Sequence, residues 1–281
     1  MTTVIERDLA MDDGATLHVY DTGRGGLPLI WHHGTPNTGA PPAPLFAAAE
    51  RLGVRWLAWD RPGYGGSSPR PDRPVSSAAG YAAAVADALD LERFAVMGHS
   101  GGGPHALACA ALLPDRVLAA VAVASLAPYD AEGLDYTDGM CASGVAALLS
   151  AAAGRPAKEA HDAADGEEYD PEFTAADLTA LDGEWGWFGS VVAAAAPSGR
   201  APAIDDDLAY VRPWGFDPAE VSAPTLLLHG TADRIVPVAH SRWLAARIPH
   251  AELRVGEGDG HLSIVRGAVG ALEWIATRAA G

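Results

Sequence analysis

Eight short apolar runs recur along the chain, each closed by Gly, Pro or Asp: Val4–Leu9, Thr16–Asp21, Pro28–His32, Arg55–Trp59, Phe94–Met97, Val117–Ala124, Pro224–His229 and Glu252–Val255. Their length and punctuation predict strands. Helical spacing follows several of them, at Pro44–Leu52, Ala78–Leu89, Gly103–Leu113, Ala239–Arg247 and Ile264–Arg278. Strands alternating with helices predict a mostly parallel sheet covered on both faces. The first two runs, joined by "AMDDGA", predict an antiparallel hairpin at the sheet's edge.

Between Pro128 and Trp214 the alternation stops. The chain there is helical and Ala-rich, broken near Gly154, Gly166, Pro171 and Pro197. Such an excursion between two core strands predicts a helical cap over residues 129–212, inserted into an α/β core formed by residues 1–128 and 213–281. No internal repeat interrupts this plan.

Composition narrows the class. Hydrophobic residues make up 49% and charged residues 20% of 281 residues, an ordinary globular balance. No apolar run approaches the roughly 20 residues that cross a bilayer. The N-terminus "MTTVIERDLAMDDG" carries charges where a signal peptide needs an apolar stretch, so a cytoplasmic location is expected. Two cysteines, Cys109 and Cys141, are too few for a disulfide framework. The net charge of −17 argues against nucleic acid or an anionic membrane as partner and leaves a small molecule. From Tyr129 to Arg212 there are 17 Asp and Glu against four Lys and Arg, which places most of that charge in the insertion. The Asp205–Asp207 run and the "DAADGEEYD" stretch read as solvated surface.

Chemistry enters at "FAVMGHSGGGPHALACAALLP", Phe94–Pro114. A strand ends in Gly98-His99-Ser100-Gly101-Gly102, a G-x-S-x-G sequence, and a helix follows. A tight strand-to-helix turn exposes a serine Oγ, requires small flanking residues, and aims helix N-terminal N–H groups at developing negative charge. A serine hydroxyl needs a base to take its proton. His261, in "GEGDGHLSIV", and Asp233, in "TADRIVP", both follow predicted strands, where catalytic groups of open α/β sheets collect.

The order Ser, Asp, His, with "HHGTP", "DRPGYGGS", "GHSGGG" and "HGTADRIVP…GDGH", resembles the α/β-hydrolase superfamily over nearly the whole chain except the cap. The resemblance implies an α/β-hydrolase fold, with an eight-stranded, mostly parallel sheet. It implies Ser100 as nucleophile, His261 as general base and acid, and Asp233 as the acid that orients the histidine. Some relatives place the acid where Asp130 stands. It also implies an oxyanion hole made by the Thr35 and Gly101 N–H groups, Pro36 having none. His33 braces that loop or touches substrate. Trp185, Trp187 and Phe188 form either the cap's own core or a pocket wall.

The glycines of "DRPGYGGSSPRP" miss a nucleotide-binding fingerprint, and no His cluster has zinc spacing, so neither cofactor nor metal is expected. The reading that follows is a serine hydrolase. It cleaves an ester or lactone of a small, partly apolar, neutral or cationic substrate through an acyl-enzyme, with cap helices selecting the substrate. The same triad also serves non-hydrolytic, perhydrolase or C–C bond chemistry, or a slow-turnover receptor. Ser100 sets the chain apart from epoxide hydrolases and haloalkane dehalogenases, which carry aspartate there. Gly101 sets it apart from proline iminopeptidases, which carry tryptophan after the serine.

Overall fold

The computed structural model describes residues 2–23, 25–164 and 170–279. The strands are β1 (Ile5–Ala10), β2 (Thr16–Asp21), β3 (Leu27–His32), β4 (Val54–Trp59), β5 (Phe94–His99), β6 (Val117–Val123), β7 (Thr225–Gly230) and β8 (Ala251–Gly256). They form one sheet in the order β1-β2-β4-β3-β5-β6-β7-β8. β1 and β2 form the antiparallel edge hairpin, and β2 pairs antiparallel with β4. Every other neighbour is parallel.

All eight sequence runs become strands because their physics is local. β5 and β7 are buried at every position, as strands sandwiched between helices must be. The edge strand β1 is mostly exposed and carries Glu6, Arg7 and Asp8, charges that discourage pairing with a second chain. Buried Asp21 on β2 accepts from Arg7 and Arg55 at 2.6–2.8 Å and ties that edge down.

The helices are α1 (Phe46–Leu52), α2 (Ser77–Ala88), α3 (Gly102–Leu112), α4 (Ala142–Ala152), α5 (Arg155–Ala163), α6 (Ala175–Asp182), α7 (Trp187–Ala195), α8 (Ala201–Val211), α9 (Ala239–Arg247) and α10 (Ala268–Ala279). α2, α3 and α9 pack into an apolar cluster on one face of the sheet, and α1 and α10 into a second cluster on the other. The last helix starts later than its spacing predicts. Ser263–Gly267 is a 3₁₀ turn, and the Leu262 and Ser263 N–H groups go to a carboxylate of α6.

Helices α4 to α8 all lie between β6 and β7. α4, α5 and α8 pack on one another, with Ala151, Ile204 and Leu208 as a small core. α6 and α7 instead join the apolar cluster that contains α10. Both cysteines are buried and free. The aspartate run is not solvated surface: Asp206 is fully buried, Asp205 pairs with Arg155, and Asp207 pairs with Lys158 at 2.7 Å. The "DAADGEEYD" stretch falls largely outside the described residues. No described helix is long and apolar enough to cross a membrane.

Candidate active site

β5 ends at His99, and Ser100 takes a left-handed φ of 55° before α3 begins. The turn is pinned on both sides. The Ser100 N–H donates to the Val123 carbonyl at 2.8 Å, and the Gly103 N–H donates to the Ser100 carbonyl at 2.9 Å. The glycines are steric necessities: a Cβ on Gly98 would land on the Gly102 carbonyl, and one on Gly102 on the His32 carbonyl. A strained φ at a non-glycine residue is sustained only where its surroundings enforce it.

Asp233 lies in the turn after β7. Its Oδ1 accepts the Ile235 and Val236 N–H groups, each at 2.9 Å, and its Oδ2 stands 2.8 Å from His261 Nδ1. Burial alone would raise this carboxyl's pKa. The charge of His261 and the hydrogen bonds from His229 and His261 outweigh burial and hold it well below the usual carboxylate range. His229 Nε2 donates to the Val236 carbonyl at 2.7 Å and lies 3.3 Å from Asp233 Oδ2.

His261 follows β8 and is 5% exposed. His99 Nε2 donates to the His261 carbonyl at 3.0 Å, and the two rings are 5.0 Å apart. The residue preceding Ser100 therefore carries the histidine loop. The Ser100 hydroxyl itself has no hydrogen-bond partner among the described residues, so the serine–imidazole bond is not closed here. Such bonds are often long without substrate and tighten when it binds. Asp130 is exposed and makes no bond to His261.

The loop after β3 runs beside the serine: a Cβ on Gly34 would sit 3.4 Å from Ser100 Cβ. A Cβ on Gly101 would sit 2.9 Å from Thr35 Oγ1, which places Thr35 and Gly101 side by side. Neither the Thr35 nor the Gly101 N–H is taken by a hydrogen bond among the described residues. His33 is buried with both ring nitrogens spent. Nδ1 donates to the Gly34 carbonyl at 2.8 Å, and Nε2 accepts the Arg61 N–H at 3.0 Å. Desolvation and the Arg61 charge push its pKa well below the ordinary histidine value.

Phe188 lies 5.1 Å from the His99 ring and stacks on Trp185 at 5.6 Å, and both are nearly fully buried. Trp187 is partly exposed and meets Trp31 edge-on at 6.4 Å. The three aromatics are thus continuous with the core cluster, with Phe188 against the residue before the serine. Among the described residues no group of three metal-ligating side chains comes together.

Sequence reasoning missed Arg61, Arg73, Asp206 and Tyr210, whose buried hydrogen bonds gather beneath the Thr35 loop, and Asp177, which holds the loop of His261. One signal was available. At helical spacing Asp206 shares a face with Pro202 and Tyr210, the buried face of α8.

A family model described as alpha/beta hydrolase fold matches residues 28–268. The chain is 29% identical over 254 residues to the non-heme chloroperoxidase of Streptomyces lividans, covering 89% of this chain and 90% of that protein. It is 30% identical over 260 residues to the 2-hydroxymuconate semialdehyde hydrolase of Pseudomonas putida, covering 88% and 85%. Among solved structures, the alpha/beta hydrolase fold protein from Nakamurella multipartita superposes with a TM-score of 0.67 at 27% identity over 99% of this chain and 100% of that one.

Proposed function

The chain belongs to the α/β-hydrolase fold family, and from that premise we propose that it is a serine hydrolase cleaving an ester or lactone of a small, partly apolar, neutral or cationic molecule. One observation carries the reading. The His261–Asp233 pair, closed at 2.8 Å, lies against His99, and His99 directly precedes a serine held at φ 55°.

In the mechanism that follows, Ser100 Oγ bonds to the substrate carbonyl carbon and its proton passes to His261 Nε2. Asp233 stays ionised, fixes the proton on Nδ1 and stabilises the imidazolium. The carbonyl oxygen gains negative charge opposite the unengaged Thr35 and Gly101 N–H groups, which lie beside the N-terminus of α3. The imidazolium protonates the departing alkoxide, leaving an acyl-serine. Water, deprotonated by His261, then attacks the acyl carbon and releases the acid and Ser100. The helices between β6 and β7 act as a cap, with Phe188, which lies against the His99 ring, and Trp187 beside it as candidate substrate contacts. A small-molecule substrate, with neither nucleic acid nor membrane as partner, accords with the net charge of −17.

Similarity to proteins named chloroperoxidase and semialdehyde hydrolase favours a second reading, in which the same triad serves perhydrolase-type or C–C bond chemistry. One experiment separates the two. A fluorophosphonate should label wild type but not Ser100→Ala, and p-nitrophenyl esters should turn over rapidly only with wild type. Labelling without turnover across a panel of esters would favour the second reading or a slow receptor. Undiminished turnover by Ser100→Ala would overturn both readings.

A further inference from the structure

Two buried carboxylates of the inserted helices, to which the proposed chemistry gives no role, reach the loops of the site. Asp206, on α8, receives five donors on one carboxylate. Arg61 Nε at 3.0 Å and Arg73 Nη2 at 2.6 Å reach Oδ1. Arg61 Nη2 and the Thr35 hydroxyl, each at 2.6 Å, and the Tyr64 hydroxyl at 2.9 Å reach Oδ2. Arg61 in turn donates to the Gly34 carbonyl at 3.1 Å and to the His33 carbonyl. The loop of His33, Gly34 and Thr35 is thereby bound at three consecutive residues to one guanidinium–carboxylate pair.

One helical turn further along α8, the Tyr210 hydroxyl lies 2.9 Å from Thr35 Oγ1 and 3.2 Å from the Gly101 carbonyl. A single helix therefore touches both residues whose N–H groups face the developing oxyanion. On the histidine side, Asp177 of α6 does the corresponding work. Its Oδ1 accepts the Leu262 N–H at 2.9 Å and the Ser263 N–H at 2.7 Å, the two peptides that follow His261. Its Oδ2 is held by the Thr174 N–H and hydroxyl at 3.0 and 2.9 Å, the capping box of its own helix.

We propose that Asp206 with Tyr210, and Asp177, are positioning residues through which the insertion completes the active site. Asp206 and Tyr210 set the oxyanion loop, and Asp177 sets the loop of the catalytic histidine. This inference rests on the roles proposed above for Ser100, Thr35 and His261. A surface ion pair would tolerate movement, but these groups are almost wholly excluded from water. Lifting α8 would strip two buried guanidiniums of their counter-charge and release Thr35 at the same moment. Cap and site therefore move together or not at all, and substrate enters without displacing α6 or α8. Positioning of this kind shows in rate, because an error of about 1 Å in a catalytic constellation costs roughly a hundredfold.

Asp206→Asn leaves two guanidiniums facing a neutral group and is a poor first test, since it risks unfolding. Thr35→Val and Tyr210→Phe delete only the bridging hydroxyls. With a p-nitrophenyl ester, each should lower kcat/KM about tenfold or more through kcat, with KM changed less than about twofold. Affinity for a trifluoromethyl ketone, whose adduct with Ser100 places an oxyanion in the hole, should fall by the same factor. Thr35→Ser should restore both, and thermal unfolding should show each variant folded. Asp177→Ala should slow phosphonylation of Ser100 by a fluorophosphonate about tenfold, while Asp177→Asn, which keeps an acceptor oxygen, should not. Wild-type kcat and ketone affinity in Thr35→Val and Tyr210→Phe would overturn the proposal. So would a loss of activity with ketone affinity intact. Ser100→Ala, assayed in parallel, distinguishes the two failures. An active Ser100→Ala sinks the functional reading and this inference with it. An inactive one beside unaffected loop variants sinks only this inference.

Discussion

Asp233 and Asp130 pose the choice of acid at the residue scale, and their surroundings separate them. Asp233 spends one oxygen on two backbone N–H groups and offers the other to His261, whereas Asp130 is exposed and meets no histidine. Asp233→Asn keeps the shape but presents an N–H or a neutral oxygen to Nδ1, which removes the bias for the useful tautomer. The expected loss is about 10³–10⁴-fold in kcat. Asp130→Asn should stay within about twofold, and steady-state kinetics on one ester compares the two. The reverse ranking would remove Asp233 from its role. Ser100, His261 and Asp233 were legible as residues placed at strand ends because each sits in a short motif whose local turn chemistry fixes its place. Asp206 was not. Its partners Arg61 and Arg73 lie more than a hundred residues away, and three adjacent aspartates look alike until helix docking decides which of them turns inward.

At the scale of elements, the same division between local and distant physics holds. Strands such as β5 and β7 could be read because burial on both faces demands an unbroken apolar run. The order of the insertion's helices, and which of them join the core, could not. Apart from α5, their Ala-rich faces carry little amphipathic contrast, so packing partners rather than periodicity decide the arrangement. α3 and α2 show how differently one residue type behaves in two helices. Gly102, at the start of α3, has the His32 carbonyl where its Cβ would be, while Gly80, on the exposed side of α2, has nothing within 4 Å. Gly80→Ala should therefore stabilise the protein by about 0.5–1 kcal/mol, the helix-propensity gain. Gly102→Ala should push α3 away from β3, costing about 1–3 kcal/mol and dislodging the loop that follows that strand. Urea denaturation monitored by tryptophan fluorescence measures both. Equal effects at the two positions would show that the close approach of α3 to β3 is not a constraint.

Charge and acid response belong to the whole molecule. Part of the insertion's negative charge is neutralised inside the fold, Asp206 by Arg61 and Arg73, Asp205 by Arg155, and Asp207 by Lys158. What remains should make anionic esters the poorer substrates, and their kcat/KM should rise with salt as screening removes repulsion. Acid has a sharper effect, because the core stores neutral histidines. Burial pushes His99 and His105 down to about 3 and His240 to about 4. His240 shows the cause: its Nδ1 accepts the Ala127 N–H at 3.0 Å while Nε2 donates to the Tyr136 carbonyl at 2.9 Å, so a second proton would face a donor. Unfolded, each of these rings takes up a proton near pH 6.5; folded, it does not until the pH is far lower. Between those values the unfolded chain binds more protons, so stability is intact above about pH 6.5 and falls as the pH drops towards 4, by about 1.4 kcal/mol per pH unit for each histidine. Asp206 and Asp233, held low by their partners, add to the loss only below the carboxylate range, as the pH falls towards their folded values. Urea midpoints should therefore decline from pH 7 to 5, the buried rings outweighing His18, Asp60 and Asp207, whose raised folded values work against the trend. His240→Gln, which can keep one acceptor and one donor, should flatten the slope by one proton's worth. A midpoint unchanged across that interval would mean that the buried rings of His99, His105 and His240 do not stay neutral in the folded protein while the unfolded chain takes up protons.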